Sequence, residues 1–149
     1  MRMFKLLFAA ATACVFGVGC STPSVQTAVE PTALESQLVG ALVVAAEREG
    51  QLTKVLLTPN LSPGIKSAAA AMRPAVLVAS GEIEGLRKGE LLVQSATLGE
   101  SHATIEARLG PVPPPKPNTA RLACGTGLTV TFNKVGGEWQ QGDLQLLNC

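Results

Sequence analysis

Apolar positions along the chain change their period twice, and each change marks a different kind of element. Leu6 to Val18 is an uninterrupted run of 13 apolar or small residues, set directly behind Arg2 and Lys5. Ser21 to Pro31 then mix Ser, Thr, Pro and Gln with few bulky apolar groups, the composition of a flexible tether. Thr32-Ala-Leu-Glu35 has capping-box spacing, with a hydroxyl at the cap and a carboxylate three residues on, so a helix is expected to start there. Leu34, Leu38, Leu42, Ala45, Leu52 and Leu56 recur at helical spacing, with Glu35, Glu47, Arg48, Glu49 and Lys54 off that line, which predicts one core-facing side. Gly50 weakens this helix and is a candidate end for it. Thr58-Pro59-Asn60 is a break, after which Ser62-Pro63 offers a cap followed by proline at the first helical position, opening a short second helix rich in Ala68 to Ala71. Pro74 should interrupt that helix, and Ala75 to Ala79 fits either a buried helical turn or a strand.

From Gly89 the period becomes two. Leu92, Gln94, Ala96 and Leu98 alternate against Val93, Ser95 and Thr97, and Ala103, Ile105, Ala107 and Leu109 alternate against Thr104, Glu106 and Arg108. Joined by Gly99-Glu100-Ser101, these runs predict a β-hairpin with His102 near its tip. Gly110 to Arg121 contains Pro111, Pro113, Pro114, Pro115 and Pro117 and is expected to be an extended crossing loop. A second hairpin follows, in which Leu128, Val130 and Phe132 alternate with Thr129 and Thr131, Gly136-Gly137 makes the turn, and Trp139, Leu144 and Leu146 lie on the return strand.

Composition narrows the function classes. In 149 residues, 46% are hydrophobic and 12 basic side chains balance 11 acidic ones, so the chain is one small folding domain without the basic footprint of nucleic-acid binding. A single His and a single Asp leave little of the side-chain chemistry from which active sites are assembled.

The charged start and apolar run have the pattern of a secretory signal peptide, since 13 residues fall short of the roughly 20 needed to span a bilayer. Phe16-Gly17-Val18-Gly19-Cys20-Ser21 resembles the lipobox of bacterial lipoproteins. The resemblance covers about the first 21 residues. It implies cleavage before Cys20, a diacylglycerol on its sulfur and an acyl group, of the palmitate class, on its amine. It also implies a periplasm-facing protein held in the cell envelope by lipid, at the outer membrane, because Ser21 is not the Asp that retains enteric lipoproteins at the inner membrane. Ordinary secretory cleavage is the alternative, since Gly17 and Gly19, or Ala11 and Ala13 before Cys14, are small enough for it. Losing Arg2 and Lys5 with the leader leaves 10 basic and 11 acidic residues, a net charge of −1.

Of the 4 Cys, Cys14 lies in the leader and Cys20 is taken by lipid, leaving Cys124 and Cys149. In an oxidising compartment two remaining thiols read as one disulfide, and they sit near opposed ends of the second hairpin. Their spacing fits no zinc motif and no Cys-X-X-Cys redox motif, so neither a metal nor another cofactor is expected.

Helices followed by four antiparallel strands predict an α+β domain whose curled sheet packs on the N-terminal helices. The run from Leu128 to Leu146 resembles the closing hairpin of NTF2-like (cystatin-like) domains, which implies a cone between sheet and helices. The expected division is leader 1–19, lipidated Cys20 and tether 20–31, and one α+β domain 32–149.

Other candidate chemistry is thinner. His102 beside Ser101 has the residue types of a nucleophile and base, but strand neighbours point to opposite faces. Glu82 and Glu84, with Glu90 nearby, stand among Arg87 and Lys88 and read as a solvated face. Cys124-Gly-Thr-Gly-Leu128 lacks the Lys and the following helix of a phosphate loop. The Pro-rich run reads as a bridge between hairpins before a docking strip, and Trp139 as a core or sheet-face anchor. No residue is assigned to catalysis. The expected role is non-enzymatic binding or structure with an envelope protein partner. The alternative is a small-ligand-binding protein or enzyme using the cone, with Glu106 or Asp143 as its buried carboxylate.

Overall fold

A computed structural model describes residues 29–79, 85–113 and 125–148. Their elements follow in the order α1 (Ala33–Glu49), β1 (Lys54–Leu57), α2 (Pro63–Met72), β2 (Ala75–Leu77), β3 (Glu90–Leu98), β4 (His102–Leu109), β5 (Thr126–Val135) and β6 (Glu138–Leu147). The class is α+β.

α1 begins where the capping box places it: the Thr32 hydroxyl accepts from the Glu35 amide, and the Glu35 carboxylate accepts from the Thr32 amide at 2.8 Å. It ends at Gly50, whose N–H donates to the Ala46 carbonyl. α2 opens on Ser62, which accepts from the Ile65 amide, with Pro63 in the first turn, where its missing N–H costs nothing.

The two N-termini meet through one carboxylate. Glu35 is the only buried charged side chain among the described residues, and its Oε1 accepts from the Ser62 hydroxyl at 2.6 Å. Burial alone would push its carboxyl upward. Hydrogen bonds from the Ser62 hydroxyl and from the Thr32 amide and hydroxyl outweigh that and hold it below the ordinary glutamate value. A carboxyl depressed in the folded state contributes stability that is present above its unfolded value and lost as pH falls through the folded one. Thermal stability is therefore expected to drop on acidification below about pH 4. A Glu35→Gln variant, less stable at neutral pH, should show a shallower acid limb in the same melting series.

The sheet has six strands in the order β2-β1-β3-β4-β5-β6 and is mixed, because β1 pairs parallel with both β2 and β3. This corrects the expected four-stranded antiparallel meander, and the topology does not clearly reproduce the NTF2-like or cystatin-like cone. The physical reason lies in β1. Val55, Leu56 and Leu57 are all buried, so this central strand shows no alternation, and its residues continued the helical line of α1 instead. α2 is the crossover that lets β1 and β2 run parallel. β2 settles the open reading of Ala75 to Ala79 in favour of a short strand, in parallel register with Val55–Leu57.

The two hairpins form as expected. β3 and β4 join through residues 99–101, and β5 and β6 through Gly136 and Gly137, both at positive φ as a tight hairpin turn requires. One face assignment changes. A register shift between Val93 and Ser95 means that Leu91 and Val93 share the helix side with Ala96, while Leu92 turns to the opposite side.

Both helices bury their apolar sides in one core with Val55, Leu57, Leu91, Val93, Ile105, Leu128 and Val130. On the other side of the sheet, Leu56 and Leu92 are covered by Leu86 and Val112, whose backbones bond each other reciprocally at 2.9 and 2.8 Å. Of the proline-rich loop, only Pro111 and Pro113 fall within the described residues.

Candidate functional site

α1 packs over β4 and β5 and stops short of β6. The consequence is a groove of about 300 Å³ between the flank of α1 and the last strand. Its helix wall is Gln37, Gly40, Ala41, Val44, Ala45 and Arg48, and its sheet wall is Phe132, Gln141 and Leu144. Small residues at 40, 41 and 45 make the helix wall low, and Phe132, itself buried, supplies an apolar floor. Val44 stays 48% exposed, an apolar side chain left at the lip. Gln37, Arg48 and Gln141 add polar ends. Such a lining receives aliphatic side chains flanked by hydrogen-bonding groups, and it contains no carboxylate, thiol or imidazole.

Across β4 and the middle of β5, the side of the sheet away from the helices is polar. His102 Nδ1 lies 2.8 Å from Asn133 Oδ1, and Thr104 Oγ1 lies 3.0 Å from His102 Nε2. The Asn133 carbonyl is an acceptor only, so His102 Nδ1 is the donor in that contact. The sequence reading set His102 beside Ser101; the structure gives it Thr104 and Asn133 instead. Hydroxyl, imidazole and amide follow the order of a hydrolytic relay, yet Thr104 sits mid-strand in β4, where backbone N–H groups serve the ladders with β3 and β5. His102 and Asn133 are exposed and Thr104 is half-buried, so the row lies on the sheet surface.

Glu106 and Asp143, the carboxylates on which a catalytic or ligand-binding cone depends, are both exposed. Glu106 accepts from Ser95 at 2.8 Å. Asp143 lies beside Gly142 at a β-bulge, where its amide donates to the Thr131 hydroxyl at 2.9 Å. Trp139 is half-buried against the core, with Lys134 Nζ 5.8 Å from its ring centroid. Gly125 and Gly127 flank the first residue of β5, so the glycines near Cys124 serve the start of a strand. Arg87 donates its amide to Glu90 at 2.9 Å, while Glu82 and Glu84 lie outside the described residues, as do Cys14, Cys20, Cys124 and Cys149. Among the described residues no group of three or more His, Cys, Asp or Glu is placed to hold a metal, and no helix is long and apolar enough to cross a membrane.

Sequence reasoning missed the groove. Its one local signal is Val44, an apolar residue off the Leu38–Leu42–Ala45 line on a helix whose neighbouring positions 40 and 41 are small. No family model, curated protein or solved structure matches the chain.

Proposed function

We propose that this chain is a lipid-anchored lipoprotein of the bacterial cell envelope, facing the periplasm from the outer membrane. Its α+β domain has a non-enzymatic binding role toward an envelope protein. The observation that carries the reading is the leader: two basic residues, a 13-residue apolar run and small residues immediately before Cys20. Binding is supported by a groove lined with small and aliphatic side chains and flanked by Gln37, Arg48 and Gln141. The exposure of Glu106 and Asp143 weighs against the cone-pocket alternative.

The Cys124–Cys149 bridge belongs to the same reading. Gly127 pairs with Leu147, and the Thr126 hydroxyl donates to Asn148 Oδ1 at 2.8 Å, so residues within two or three positions of the two cysteines lie side by side. Closing a loop of this length contributes roughly 3 to 4 kcal/mol on the chain-entropy model, so reduction is expected to lower the urea midpoint sharply.

Intact mass of the protein isolated from membranes, with and without reductant, tests both parts. The expected result is a mature chain beginning at Cys20 with a surplus of two or three acyl chains, gaining two mass units on reduction. A lipid-free mature chain overturns the anchor, and an unchanged mass on reduction overturns the bridge.

A further inference from the structure

We propose that β6 is a self-association edge, at which two copies of this chain pair their β6 strands antiparallel about a two-fold axis and join their sheets into one. This deepens the binding role above by naming one partner, and it is independent of the lipid anchor.

The first observation is the edge itself. β6 is the outermost strand and runs for 10 residues, whereas β2 at the opposite edge has 3. A strand of that length presents a row of unpaired backbone donors and acceptors over roughly 33 Å. Glu138–Leu147 contains neither Pro nor Lys, the residues that most often block pairing at an exposed edge.

The second observation selects a second copy over an unrelated extended segment. Phe132 pairs with Gln141 and Val130 with Leu144, so β6 carries one residue more than β5 at this point. A regular incoming strand would be thrown out of step there. Another β6 carries the same extra residue, and one antiparallel register keeps the two in step along the whole strand. It sets Glu138 opposite Leu147, Trp139 opposite Leu146, Gln140 opposite Gln145 and Gln141 opposite Leu144.

That register also preserves faces. Trp139 and Leu144 pack on the helix side, and Leu146, paired with Leu128, shares that side at 41% exposure. Gln140 and Gln145, paired with Asn133 and Thr129, share the polar side. Apolar residues of one copy therefore meet apolar residues of the other. Leu144 of the second copy comes to the mouth of the α1–β6 groove beside Gln141, next to the exposed Val44. Glu138 and Asp143 are the only charges on β6, and they face Leu147 and Gly142, so no like charges oppose.

Sedimentation velocity on residues 20–149 carrying Cys20→Ser, exported behind an unrelated, conventionally cleaved leader, tests the inference over about 1 to 100 µM. A concentration-dependent dimer is expected. Q140K/Q145K places Lys opposite Lys twice across the axis and should weaken the dimer at least ~10-fold. Q140K/Q145E, which keeps the Lys at 140 but faces it with Glu, should restore dimerisation to within a few-fold of the parent. Both variants should melt as the parent does at low concentration, because both positions are exposed. A monomer throughout the range, or equal association of the two double variants, overturns the proposal while leaving the anchor and the partner-binding role standing.

Discussion

Gly64→Ala is expected to destabilise the domain by about 2–3 kcal/mol, against the usual direction of that substitution in a helix. Inside a helix, alanine normally exceeds glycine by roughly 0.5–1 kcal/mol, because glycine loses more backbone entropy on folding. At position 64 a Cβ would overlap the carboxylate of Glu35. That carboxylate ends a flexible side chain, but it has nowhere cheap to go: it is buried and accepts from the Thr32 amide, the Thr32 hydroxyl and the Ser62 hydroxyl. Moving it breaks the capping box of α1 and strands the Ser62 hydroxyl that starts α2.

The cause can be isolated by a double-mutant cycle. Glu35→Ala alone should also cost about 2–3 kcal/mol, as half of the capping box is lost and three donors are left without their acceptor. In the Gly64→Ala/Glu35→Ala double variant the overlap is gone, so the second substitution adds little or returns a few tenths. Urea unfolding followed by the fluorescence of Trp139 reads all four proteins. Additive losses would mean that Gly64 is required for some reason other than the carboxylate beside it.

Each half of this junction is legible in the sequence, and the junction is not. Thr32 and Glu35 announce a helix start, and Ser62-Pro63 announces another, because caps are local chemistry. Their meeting across 27 positions depends on how α1 and α2 cross, which no local pattern encodes. The same distinction runs through the sheet. The hairpins β3–β4 and β5–β6 were readable since one side of each faces the core and glycines mark the last turn. β1 was not, because a parallel strand buried on both sides loses the alternation that identifies strands, and Leu52 and Leu56 happened to fall on the helical line of α1. A single bulge after Val93 then reversed the side assigned to Leu92. The groove follows from where α1 lies across the sheet, over β4 and β5 more than β6, which no local pattern encodes.

Replacing Cys20 by Ser is expected to abolish acylation and, with it, cleavage of the leader, leaving a precursor that retains residues 1–19. The reasoning is chemical. On the proposed lipobox route a thiol would be alkylated before the cut, and a hydroxyl would not take its place, so both steps would fail together. Ordinary secretory cleavage has no such requirement: under it, native protein and variant would show the same cut and no acyl mass, and the lipobox reading would fall. The energetic consequence is as large as the chemical one. Burial contributes about 0.8 kcal/mol per methylene, so the two or three long chains of the proposed anchor would hold the protein at the bilayer, whereas one short chain gives only marginal binding. The mature chain offers little to replace them, with 10 basic against 11 acidic residues and no membrane-crossing helix among those described. A chain with Ser at position 20 behind an unrelated, conventionally cleaved leader should therefore move from the membrane pellet to the soluble fraction. Retention in the pellet would mean that the folded domain itself, through the α1–β6 groove or another surface, holds a membrane partner.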